Sequence, residues 1–203
     1  MRLISALLAM AIAAAPAFPV EAATFKPLHG GKSLVMTGDI VEGDTYRLSN
    51  AIARAAYKGV RVERLFLNSP GGSLVEGLEL GVMLAKSGDI DTVVGATDAC
   101  SSSCLTVFAA GKNKVVFPTS RIGVHSASAI NMRTGESVEH SRTTLLMIRF
   151  YKSVGVPASV LGKIAATEAD EITYLNVADY DAWGIEKLYP KGNTPVSNRV
   201  PLY

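Results

Sequence analysis

Three short stretches of the chain carry groups suited to catalysis. The first, Asn68-Ser69-Pro70-Gly71-Gly72-Ser73, ends an apolar run and leads into a helical pattern. Paired glycines at such a turn let backbone N–H groups point into a cleft, where they stabilise developing negative charge. The second, Ala99-Cys100-Ser101-Ser102-Ser103-Cys104, opens an apolar helical segment. A serine at that position is in the ordinary case a helix cap. To act as a nucleophile it needs a base within hydrogen-bond reach, because a free hydroxyl reacts weakly at neutral pH. The positive end of the helix dipole would then favour the oxyanion formed there. The third is His125, at the close of Pro118-Thr119-Ser120-Arg121-Ile122-Gly123-Val124-His125. His29 and His140, the other two histidines, keep no company with ligand-type residues. No spacing of His, Cys, Asp and Glu resembles a metal site, and neither a metal nor another cofactor is expected.

These stretches need elements to position them. Strands are expected at 34–36, 64–67, 91–94, 115–117 and 121–125. Helices are expected at 44–57 with Asp44 as N-cap, and at 73–87, 104–110 and 137–154, the last after a polar turn at 131–136. Strands alternating with helices mean βαβ crossovers, hence an α/β fold with a mostly parallel sheet flanked by helices.

Composition narrows the function classes. The chain has 203 residues, 48% hydrophobic and 19% charged, with a formal net charge of +2. That hydrophobic content excludes a disordered chain. A charge near zero without blocks of like sign argues against binding nucleic acid by phosphate neutralisation. Two cysteines are too few for a disulfide scaffold. Residues 1–22 read as a signal peptide: Arg2, an apolar run from Leu3 to Ala15, then the small-residue pattern around Val20-Glu21-Ala22. The run is shorter than the ~20 residues a spanning helix needs. Residues 23–203 would form a single domain, periplasmic or secreted, where disulfides persist.

The order of glycine turn, serine turn and histidine resembles the ClpP family of serine peptidases, within the ClpP/crotonase fold. The matching stretches are 68–73, 100–104 running on to Ala109-Ala110-Gly111, and 117–125. The resemblance implies repeated β-β-α units and a protruding handle-type helix. It implies Ser102 as nucleophile, His125 as general base, and an oxyanion hole from the N–H groups of Gly72 (or Gly71) and Ser103. The family's third member, an acid that fixes the histidine tautomer, should fall at Ile172, just before Tyr174-Leu175. Asp170 is the preferred substitute and Glu171 the next.

Two further departures stand out. Cys100 and Cys104 flank Ser102, where the cytoplasmic peptidases have no cysteines; they are either bridged, clamping the serine turn, or reduced and buried. Export also removes the family's ATP-driven unfoldase, so peptides or unfolded chains are the expected substrates. Helix 137–154 occupies the handle's place, and its surplus of apolar residues (Leu145, Leu146, Ile148, Phe150) implies a homo-oligomer. The expected function is an exported serine peptidase working through an acyl-enzyme on Ser102. The alternative is a catalytically inactive ClpP-fold binding or scaffold protein of the cell envelope.

Overall fold

A computed structural model describes residues 21–130, 137–139 and 141–189 of the chain. The signal-peptide assignment for 1–20, the polar turn at 131–136 and His140 lie outside the described residues.

Eleven strands and six α-helices are seen among the described residues. In chain order they are β1 (Thr24–Leu28), a short 3-10 turn (His29–Gly31), β2 (Ser33–Thr37), α1 (Asp44–Tyr57), β3 (Arg64–Asn68), α2 (Leu74–Ser87), β4 (Asp91–Val94) and β5 (Ala99–Ser101). Then come α3 (Cys104–Ala109), β6 (Lys114–Val116), β7 (Arg121–Val124), β8 (Ser128–Ile130), β9 (Ser137–Glu139) and α4 (Ser141–Ser153). The described chain closes with α5 (Ala158–Ala166), β10 (Thr173–Tyr174), α6 (Val177–Trp183) and β11 (Glu186–Lys187). None of these helices is long and apolar enough to cross a membrane.

The main sheet has the order β1-β2-β3-β4-β6-β11, parallel throughout except for β1. Its inner strands β2, β3, β4 and β6 carry apolar residues on both faces, as parallel strands covered on both sides must. Leu65 and Leu67 turn into the large core with the helices, whereas Phe66 between them joins Val93, Val115 and Phe117 in a small cluster on the other face. This period of two sorts the strands between the two clusters.

A second sheet, β10-β7-β5, sets the site. β5 runs parallel to β7, with Cys100 beside Ile122 and Ser101 beside Gly123, and a parallel bridge joins Ser69 to Cys100. The C-terminal ends of β3, β5 and β7 therefore lie side by side, and the glycine turn, serine turn and His125 follow directly from them. Ligands in open α/β sheets gather at such carboxyl ends.

Two expectations need correction. The helix predicted over 137–154 begins at Ser141; residues 137–139 form β9 and pair antiparallel with β8. A three-residue strand is too short for its alternation to be told from a helix's first turn. At α1 the cap is Gly43, in a left-handed conformation (φ 89°), and Asp44 is the first helical residue. Its buried carboxylate accepts from Val41 N–H (2.7 Å) and pairs with Arg47 (2.7 Å).

The N–H groups thus exposed at the start of α1 are met from a distance in sequence. Glu76 of α2 accepts from Thr45 N–H at 2.6 Å and Gly43 N–H at 3.1 Å. Burial alone would raise its pKa, but these two amides and the nearby Arg47 outweigh it, and hold the carboxyl below the ordinary glutamate value. Glu76 so ties the loop after β2 to the helix that follows the glycine turn.

Candidate active site

The glycine turn is fixed from both sides by backbone. Ile40 N–H donates to Gly71 O at 2.7 Å, and Ser73 N–H donates to Ile40 O at 2.7 Å. A Cβ on Gly72 would fall 2.3 Å from Ile40 O, and Gly72 has φ 136°, so only glycine fits here. Ser73 then caps α2, its hydroxyl accepting from Glu76 N–H at 3.3 Å.

The serine turn packs directly on this one. A Cβ on Gly71 would fall 2.6 Å from the Ser102 Cβ and 2.7 Å from Ser101 O. Ser101 N–H donates to Ser69 O at 3.1 Å, and Ser102 N–H to Gly123 O at 3.1 Å. Of the three consecutive serines, Ser101 and Ser103 are buried and Ser102 is half-exposed. Ser102 also has φ 56°, in the left-handed region that a residue with a Cβ enters at a cost of about 1–2 kcal/mol. Such strain persists only where its surroundings impose it, and it concentrates at functional sites. Cys100 and Cys104, both fully buried, are joined by a disulfide with Cα atoms 5.3 Å apart. Cys100 is still in β5 while Cys104 opens α3, and that change of backbone direction brings the pair within bonding range.

The candidate oxyanion donors divide. Gly71 N–H is taken by the Ser69 hydroxyl at 3.1 Å. The N–H groups of Gly72 and Ser103 donate to no described residue. Two unengaged amides from adjacent turns are what an oxyanion hole requires.

His125 is half-exposed, one residue past the end of β7. No hydrogen bond joins it to Ser102; in unliganded sites such contacts are often long and tighten with substrate. Its Nδ1 lies 2.6 Å from the carbonyl oxygen of Ser126. Asp170 and Glu171 are exposed, and neither bonds to His125. β10 pairs antiparallel with β7, Thr173 opposite Val124, so the next register step sets Ile172 opposite His125. Ile172 Cγ2 would come within 2.8 Å of a Cβ on Gly123, so its methyl lies over that strand. The two turns so pack Gly71, Gly72, Ser102 and Ser103 together beside the end of β7, which leads into His125, and no hydrogen bond joins Asp170 or Glu171 to the ring. The Ser126 carbonyl is a site group that sequence reasoning missed, and no side-chain signal announces a main-chain acceptor. Among the described residues no three His, Cys, Asp or Glu side chains gather as metal ligands.

Comparison with known proteins follows the same lines. Residues 53–152 match the family model described as Clp protease. The ATP-dependent Clp protease proteolytic subunit of Cucumis sativus is 28% identical over 139 residues, 64% of this chain and 69% of its own length. Among solved structures, a membrane-bound stomatin-specific protease superposes with a TM-score of 0.59 at 16% identity, covering 76% of each chain. ClpP1 from Listeria monocytogenes gives 0.56 at 16%, over 79% of this chain and 92% of its own. The ClpP catalytic domain of Plasmodium falciparum gives 0.56 at 21%, over 81% and 88%.

Proposed function

We propose, starting from a chain of ClpP fold whose matches support a serine peptidase of the ClpP-like family, that it is an exported enzyme cleaving peptides or unfolded chains through an acyl-enzyme on Ser102. The observation that carries this reading is the backbone of Ser102: alone among its neighbours it is half-exposed and left-handed, between the glycine turn and the end of β7. In the acylation step the Ser102 hydroxyl attacks the scissile carbonyl while His125 Nε2 takes its proton. The tetrahedral oxyanion is received by the N–H groups of Gly72 and Ser103. His125 then protonates the leaving amine, and water repeats the sequence in reverse to free the acid. Removing one oxyanion donor typically costs ~10²–10³ in turnover.

Export rests on the leader-like residues 1–22 and on the Cys100–Cys104 bridge, which suits an oxidising compartment. Self-association rests on α4, whose Leu145 and Leu146 are 59% and 55% exposed.

An active-site phosphonate tests the reaction. Labelling of the wild type, absent in Ser102→Ala and His125→Ala, is expected. No labelling at any pH or protein concentration would reject it. That result would favour the second reading, a non-catalytic scaffold, for which it speaks that no carboxylate among the described residues hydrogen-bonds to His125.

A further inference from the structure

The hydrogen bond at Nδ1 of His125 is short and its acceptor is fixed in kind. A main-chain carbonyl has lone pairs and no proton, so Nδ1 must carry the hydrogen. In the neutral ring that leaves the lone pair on Nε2, the nitrogen a general base uses. This is the tautomer that a triad carboxylate enforces, here set without a carboxylate.

What holds the carbonyl is visible too. The Ser126 C=O and the Ala127 N–H belong to one planar peptide unit. At its other end, the Ala127 N–H donates to the hydroxyl oxygen of Thr144 at 3.0 Å, a buried bond to the first turn of α4. The preceding amide, Ser126 N–H, donates to Thr167 O at 2.9 Å. The unit is anchored on both sides, with Ser126 1% and Thr144 7% exposed. Donation by the N–H also polarises the carbonyl and makes it a better acceptor. On the other flank of the histidine, the register sets Ile172, whose side chain has no acceptor to offer.

We propose that Thr144 is a positioning residue for His125: through the 126–127 peptide it aims the Ser126 carbonyl at Nδ1, and this relay replaces the triad acid. The inference rests on His125 being the base of the proposed peptidase, but its first readout does not need activity. Nitrogen-15 NMR of the histidine-labelled full chain, in buffer alkaline enough to keep the ring neutral, reads the tautomer directly. The expected signal for His125 is the Nδ1–H form, against the Nε2–H form that a histidine side chain free in water favours. An Nε2–H signal would overturn the relay even in a protein that labels with phosphonate. A protein that never labels but shows Nδ1–H at His125 would lose the peptidase reading and keep the geometry.

Thr144→Val removes the acceptor at nearly constant volume. It is expected to populate the Nε2–H tautomer and slow phosphonate labelling by roughly tenfold or more, within the range a general base contributes. Thr144→Ser, which keeps the hydroxyl, is expected to restore both. If Thr144→Val keeps both the tautomer and the labelling rate, the relay is wrong. A loss of labelling in Asp170→Asn or Glu171→Gln as large as that in Thr144→Val would also overturn it, by showing that a carboxylate reaches the ring. Should Thr144→Val fail to fold, the wild-type tautomer alone decides.

Discussion

The two sides of the candidate site are built from different materials. The serine side is made of main chain: Gly71 against Ser102, Ile40 bracketing the glycine turn, Ser69 hydrogen-bonded to β5, and a buried disulfide across the bend. The histidine side is open. Asp170 and Glu171 face solvent, Ile172 and Tyr174 are 42% and 49% exposed, and one peptide unit steadies the ring. Strained backbone needs close contacts on every side, so the nucleophile turn leaves no room for variation. Orienting an imidazole needs only one acceptor, and any carbonyl in reach can serve.

The contrast can be broken most directly at Gly71. Gly71→Ala would bring a methyl against the Ser102 Cβ from a backbone at φ 106°, and is expected to cost about 3 kcal/mol or more by overpacking and strain together. Urea denaturation measures it. Ile172→Ala, its counterpart on the open side, should cost under about 1 kcal/mol. Equal losses would show that the two sides are not differently packed.

The bridge is the next lever. For so short a loop, the chain-entropy account assigns the Cys100–Cys104 disulfide only about 2 kcal/mol, the low end of the usual range. Cys100→Ala combined with Cys104→Ala should therefore lower the thermal midpoint modestly but slow phosphonate labelling at Ser102 disproportionately. Labelling that merely tracks stability would mean the turn is held by its glycine contacts alone.

Much of this arrangement was legible in the sequence, and the parts that were not share a cause. The bounds of α1 follow from helical spacing over 14 residues. Ser102 could be told from its neighbours only by resemblance, since three identical side chains carry no distinguishing pattern; backbone conformation separates them. β10 and β11 are two residues each, too short for any alternation to show. The mismatch at Ile172 was readable as an absent acid. Its replacement was not, because every residue carries a carbonyl and nothing in the side chains marks the one that is used.

A smaller effect sharpens the serine side further. Because the folded Glu76 carboxyl sits below its ordinary value of 4.5, its contribution is fully present above that value and is lost as pH falls through the lower folded one. Glu76→Gln should cost about 1 kcal/mol at neutral pH, since the bonds to Gly43 and Thr45 lose their charge. It should also flatten the acid limb of the stability curve below pH 4.5. An unchanged limb would show that other carboxylates govern it.

Least of all should stability respond to α4. Leu145→Lys with Leu146→Lys, both at exposed positions, is expected to alter it by under about 0.5 kcal/mol while shifting the sedimentation profile to smaller species. An unchanged profile would remove α4 from the association surface.

The bridge also bears on how the protein can be made. With two cysteines in the whole chain, an intramolecular bond has one connectivity, so no mispaired isomer exists to be reshuffled. Both thiols emerge from synthesis almost together, well before β7 and His125. An oxidant is the sole helper this crosslink calls for, and proofreading by an isomerase has nothing to correct.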